Sequence, residues 1–138
     1  MQNYANHRRF HPAFHFIGFP IALFSVVVTA ANAFGAWTAL APWAALGVAF
    51  TAFLGFFLAR GYAIKAQDRA IVAQEGLRHL VLTGKPLPSG LTWGKIIALR
   101  FSDDAQFPEL AARAAKESLA ADDIKKAVKN WRADENRV

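Results

Sequence analysis

From Phe10 to Ala59 the chain carries no Lys, Arg, Asp or Glu. Fifty consecutive residues without a formal charge cannot line an ordinary soluble surface, because a helix there pairs an apolar stripe with a charged or polar one. The run is too long for one bilayer crossing and suits two crossings of about 20 residues each. The expected fold is an all-α membrane protein: an antiparallel transmembrane helical hairpin plus a small cytoplasmic helical tail. Its expected parts are an N-terminal interfacial segment (1–16), the two-helix hairpin (17–62) and a helical region (63–138).

The first span is expected over Ile17 to Ala36 and the second over Trp43 to Tyr62. They hold nine and eight residues of the Leu/Ile/Val/Phe type, so each gains several kcal/mol on insertion, at about 0.3–0.6 kcal/mol per residue. The link "WTALAPW" turns at Pro42, and Trp37 and Trp43 bracket it as an interfacial aromatic pair. So short a link makes the helices antiparallel neighbours. Arg8 and Arg9 with Ala31-Asn32-Ala33 imitate a cleavable signal peptide, but the second apolar segment that follows favours an uncleaved anchor. Arg8 and Arg9 precede the first span, Arg60, Lys65 and Arg69 follow the second, and the turn has no basic residue. By the positive-inside rule both termini are cytoplasmic.

Small residues recur at helical spacing: Ser25, Thr29 and Ala33 on the first span, and Gly47, Thr51 and Gly55 on the second. Such seams let helix backbones approach closely in lipid, and self-association is expected. Phe50, Phe53, Phe56 and Phe57 are expected to face lipid or a neighbouring chain. Asn32 is the strongly polar residue of the spans; it either reaches interfacial water or, with Ser25 and Thr29, lines a polar path.

Histidines stand at 7, 11 and 15. On one helix His7 and His15 would be about 12 Å apart along the axis, too far for one ion. Pro12 disfavours a helix through residue 11 and suits a helix start, which leaves His11 and His15 as the one candidate metal pair. Aromatic and basic residues with wet tips also collect at the headgroup layer, and that reading is preferred. Pro20 is expected to mark a kink at the entry to the first span. No cofactor is expected. The chain has no cysteine, so thiolate ligands, disulfides and thiol nucleophiles are excluded.

Residues 60–138 hold 14 Lys/Arg and 10 Asp/Glu. The second span is expected to continue as an amphipathic helix, with Ile71, Leu77 and Leu80 on one side and a stop at Gly84. Thr92 is expected to cap a helix over Trp93 to Arg100, and Ser102, Asp103 or Asp104 to cap a region from Ala105 to Ser118 that Pro108 could break in two. Asp122 is expected to cap a last helix bearing Lys125, Lys126, Lys129 and Arg132, with Ile124, Val128 and Trp131 on one face. The expected core includes Leu80, Leu91, Trp93, Ile96, Leu99, Phe101, Phe107, Leu110 and Leu119 besides those three.

The basic positions Arg8, Arg9, Arg60, Lys65, Lys125, Lys126, Lys129 and Arg132 are candidates for anionic headgroups. Nucleic acid is not an expected partner, because exposed aromatics are not interleaved with the charge. No catalytic motif is present, and the adjacent pairs Asp103-Asp104 and Asp122-Asp123 splay about 100° apart on a helix.

Three passages, "QNYANHRRFHPAFHF", "ALRFSDDAQFPELAARA" and "IKKAVKNWRADENRV", carry a resemblance over nearly the whole chain. The chain resembles an uncharacterised bacterial family of small two-span membrane proteins, a domain of unknown function. Its members have Pro after the Trp-Arg pair, where Ala133 stands here. The resemblance implies a bacterial inner-membrane protein with a cytosolic helical tail, and it carries no activity or ligand. The leading expectation is a non-enzymatic protein that self-associates through its spans and presents a basic tail to a partner protein or anionic lipid. The alternatives are a homo-oligomeric pore and a histidine-based metal or haem binder.

Overall fold

A computed structural model describes residues 2–6 and 10–134. Among these residues every regular element is helical: a π-helical segment Ala13–Gly18, then α1 (Phe19–Gly35), α2 (Leu40–Thr83), α3 (Trp93–Leu99), α4 (Phe107–Lys116) and α5 (Ala121–Ala127). One isolated antiparallel bridge joins Ser102 to Trp131. The residues gather into two compact units, 10–64 and 2–6 with 65–134.

In the first unit the helix begins beside Pro12, whose fixed φ suits a helix start. The π segment has a local cause. Pro20 has no N–H, and in α geometry its ring would press on the Phe16 carbonyl. The wider turn just before it, closed by the Phe19 N–H donating to the Phe14 carbonyl, opens space at that point. The helical stretches Ala13–Gly35 and Leu40–Thr83 are each long and apolar enough to cross a membrane.

Ring contacts link the two stretches. Phe14 stacks flat on Phe56 with centroids 4.4 Å apart, and Phe19 meets Phe57 edge-on at 5.9 Å. Gly18 makes room for this: a Cβ there would lie 2.7 Å from the Phe56 ring. Beyond the turn, Phe34 meets Trp43 edge-on at 5.2 Å, and the Trp43 indole N–H donates to the Trp37 carbonyl at 3.0 Å. Phe56, expected to face outward, is half-buried in this ring cluster, and Phe57 touches the cluster while staying exposed.

The second unit, here the helical domain, has a core of Ala98, Leu99, Phe101, Phe107, Leu110, Ala111, Ala114, Ile124 and Val128. Phe107, Leu110, Ala111 and Ala114 form the i, i+3, i+4, i+7 face of α4, which runs unbroken with Pro108 in its first turn. From α2 the buried face is Ile71, Glu75 and His79, each four residues on from the last. Gly84 then ends the helix in the left-handed region, φ +69°, its N–H donating to the Leu80 carbonyl at 2.8 Å.

Several expectations change. Leu80 stands nine residues from Ile71, half a helical rotation away, so it points outward, 46% exposed. Trp93 is 52% exposed, outside the core, while the small residues Ala98, Ala111 and Ala114 are inside it. Thr92 sits at the start of α3 without making a side-chain cap bond. Asp122 lies inside the first turn of α5, whose cap position is Ala120. The Gln106 side chain takes the Ala127 carbonyl at 2.8 Å and the Lys129 N–H at 3.0 Å. α5 therefore ends at Ala127, Val128 is extended, and Lys129 and Arg132 lie beyond the helix.

Gly18→Ala should push the Phe56 ring off its stacked position and cost about 1–3 kcal/mol in detergent unfolding. A Phe56→Leu change in that background should recover part of the loss. Additive effects of the two changes would contradict the close approach.

Candidate functional site: a charged cleft and a docked N-terminal arm

A cleft of about 780 Å³ opens in the helical domain between α2 and the segments around Arg100 and Arg132. Arg78 is its centre. Its guanidinium lies 2.9 Å from Glu75 and 2.6 Å from Asp104, donates to the Ser102 carbonyl at 2.8 Å, and covers the Phe107 ring at 4.4 Å. One planar group thus ties α2 to the segment after α3, using the forked donors and stacking face that Lys lacks. Glu75 and Arg78 are both near-buried, with side chains 8% and 11% exposed.

On the facing wall Arg100 lies 2.7 Å from Asp134, donates to the Ile97 carbonyl at 3.3 Å, and covers the Phe101 ring at 4.4 Å. Arg132 reaches within 4.0 Å of Glu75 from the rim, and its backbone N–H donates to the Phe101 carbonyl. Asn130 and the Gln106 N–H hydrogen-bond the Asp103 carboxylate, and with the nearby Arg78 charge they hold it below the usual carboxylate range. Three guanidinium groups thus interleave with four carboxylates, and the pairs fasten α2 to the rest of the domain.

The N-terminal arm belongs to the same unit. The Tyr4 hydroxyl lies 2.8 and 2.9 Å from the two Asp122 carboxylate oxygens. Lys126 pairs with Asp122 at 2.7 Å and lies 5.7 Å over the Tyr4 ring. The Asp134 N–H donates to the Gln2 side chain at 2.9 Å. Asn3 turns the arm by accepting the Ala5 and Asn6 N–H groups. The Lys126 and Tyr4 hydrogen bonds hold the Asp122 carboxyl below its ordinary value. The Asp122 hydrogen bond in turn raises both Tyr4 and Lys126.

The other expected site residues fall out as follows. Arg8 and Arg9 lie outside the described residues. Arg60 covers the Phe14 ring at 4.5 Å. Lys65 and Lys129 are exposed, Lys125 is half-buried on α5, Lys126 is paired and Arg132 lines the cleft. In the apolar helices, Ser25 donates to the Ile21 carbonyl, Thr29 to Ser25 and Thr51 to Gly47, each one turn back along its own helix. Asn32 is exposed. Gly47 and Gly55 have nothing within 4 Å of where a Cβ would stand. The His15 ring folds back on His11, its Nδ1 lying 3.0 Å from the His11 carbonyl. Among the described residues no group of three or more His, Cys, Asp or Glu could hold a metal ion.

Sequence reasoning missed Glu75, Arg78, His79 and Arg100. The four-residue step from Ile71 through Glu75 to His79 was the available signal, and polar residues on it read as solvent-facing. His79 is buried, with Nδ1 2.9 Å from the Lys85 carbonyl and its ring edge-on to Phe107.

The whole chain, residues 1–138, matches the family model described as a family of unknown function (DUF6526). The chain belongs to that family. Neither a curated protein nor a solved structure matches it.

Two outcomes follow for this DUF6526 chain. Arg78→Met removes the close partner of the near-buried Glu75, leaving it only the 4.0 Å approach of Arg132, and should cost about 3–5 kcal/mol in chemical unfolding, against under about 1 kcal/mol for Asp104→Asn at the rim. Equal, small effects would contradict the central role of Arg78. For the arm, Asp122 is depressed when docked, so its contribution is present above the ordinary carboxylate value and lost as pH falls through the depressed one. Tyr4 and Lys126 are raised, so theirs is present below their ordinary values and lost as pH rises through the raised ones. Tyr4 ring NMR signals should therefore report docking at neutral pH and release at both extremes. Tyr4→Phe should increase protease cutting in the arm at neutral pH, and no increase would contradict the contact.

Proposed function

We propose that this protein is a two-span, non-enzymatic protein of the bacterial inner membrane. Its antiparallel hairpin carries the helical domain on the cytoplasmic side and self-associates with other copies. The domain is presented to a partner protein or to anionic lipid. One observation supports this most. Residues 2–6 bond to the same unit as residues 65–134, and two helices each long and apolar enough to cross a membrane lie between them in the chain. A chain that leaves a compartment and returns to its starting partner crosses an even number of times. The Phe14–Phe56 stack at one end and the Phe34–Trp43 contact at the other support the hairpin pairing. Arg60, Lys65 and Arg69 beyond the second apolar run support the cytoplasmic assignment of that side. The bacterial assignment rests on the sequence resemblance.

The Ser25, Thr29 and Thr51 hydroxyls are spent on their own helix carbonyls, which makes them compatible with lipid or a packed neighbour without an aqueous path. These bonds favour anchoring and presentation over the pore reading. Protein reconstituted into nanodiscs with lipid in large excess should be counted by mass photometry at more than one chain per disc. A single chain per disc at every loading would contradict self-association.

A further inference from the structure

α2 has two working faces in its polar half. Ile71, Glu75 and His79 face the helical domain and are buried. On the other side Ala66, Ala70, Ala73, Leu77 and Leu80 are all exposed, Ala70 at the margin where the charged cleft begins. Their steps are four, three, four and three residues, the spacing at which one helix packs along another in a left-handed coiled coil. Leu77 is 62% exposed and the flanking Val81 76%. Large apolar groups so exposed, in helix-pairing register, mark an interaction surface. Lys65, Asp68, Arg69 and Arg78 on the same stretch of helix place the surface outside the hydrocarbon core.

We infer that this seam pairs in parallel with the same seam of a second copy of the chain. The inference deepens the self-association proposed above and rests on it. Copies anchored in one membrane with the same orientation can bring these helix faces together only in parallel, where each layer meets its own counterpart. The seam is self-complementary in that arrangement, with alanine layers that allow close approach followed by leucine layers that fill the widening space. The flanks agree in charge: Arg69 on one chain would face Gln74 on the other, and Gln67, Gly76, Val81 and Thr83 add no like charges. Five layers bury less than the roughly 1,200–2,000 Å² of a stable complex in free solution. Confinement of both copies to one membrane supplies the effective concentration that makes up the difference.

Cysteine scanning tests this cleanly, because the chain has no cysteine of its own. Single cysteines at positions 64 to 82, at Gly47, Thr51 and Gly55, and at Glu109 as a distant exposed control would be oxidised in native membranes. The expected result is a disulfide-linked band of twice the chain mass, peaking at Ala66, Ala70, Ala73, Leu77 and Leu80 at least about fivefold above Asp68, Val72 and Glu109. Leu77→Lys with Leu80→Lys, at exposed positions that leave the domain core intact, should abolish crosslinking at Ala70. A flat profile, or one peaking on another face, overturns the inference. So does a crosslinked band of any mass other than a dimer's, which would identify a different protein on the seam. Crosslinks at Gly47, Thr51 or Gly55 without the seam overturn it while leaving self-association through the spans standing. No crosslink anywhere, together with one chain per nanodisc, removes both.

Discussion

A backbone amide in hydrocarbon has no water to bond, so a chain that enters a membrane must satisfy its own polar groups as it goes. On the proposed membrane placement, that requirement accounts for the fifty uncharged residues. It selects helix over any open alternative and lets the Ser25, Thr29 and Thr51 hydroxyls survive by bonding one turn back on their own helices. At Pro20, where one amide donor is missing, the chain does not break. It widens into the π segment Ala13–Gly18 and keeps its helical hydrogen bonding.

The helical domain answers a different constraint. A core drawn from three short helices and one face of α2 is near the lower limit for independent stability. The domain adds ion pairs and hydrogen bonds to that core. Arg78 joins α2 to the segment after α3, Arg100 holds Asp134, and Gln106 fixes the exit of α5. The N-terminal arm closes the set through Gln2 and Tyr4. Loss of the Arg78 tie would leave near-buried polar groups under-paired, so the domain should respond to that substitution more sharply than its apolar core alone would predict.

The apolar stretches and their approximate limits were legible because absence of charge over fifty residues has few physical explanations. The stop at Gly84, the loop after it, the positions of α3 and α4 and the start of α5 were legible from glycine, proline and periodic apolar residues, while the end of α5 at Ala127 was not. The candidate site was not. Glu75 and His79 occupy buried positions on a helix whose outward face carries Leu77 and Leu80, so hydrophobicity alone assigned the faces the wrong way round. Arg78 and Arg100 acquire their roles from carboxylates at 104 and 134, and nothing local to either arginine names its partner. Gly18 was passed over in favour of Gly47 and Gly55, since spacing along one helix cannot show which glycine meets a ring on another.

The central claim is that the turn between the two apolar helices lies across the membrane from the helical domain. Cysteine substitution at Ala39 in the turn and at Gln67 in α2, with a membrane-impermeant maleimide added to intact cells, tests it most directly. The account predicts that Ala39→Cys is labelled from outside while Gln67→Cys is labelled only after the membrane is opened. Labelling of both positions from the same side would contradict it.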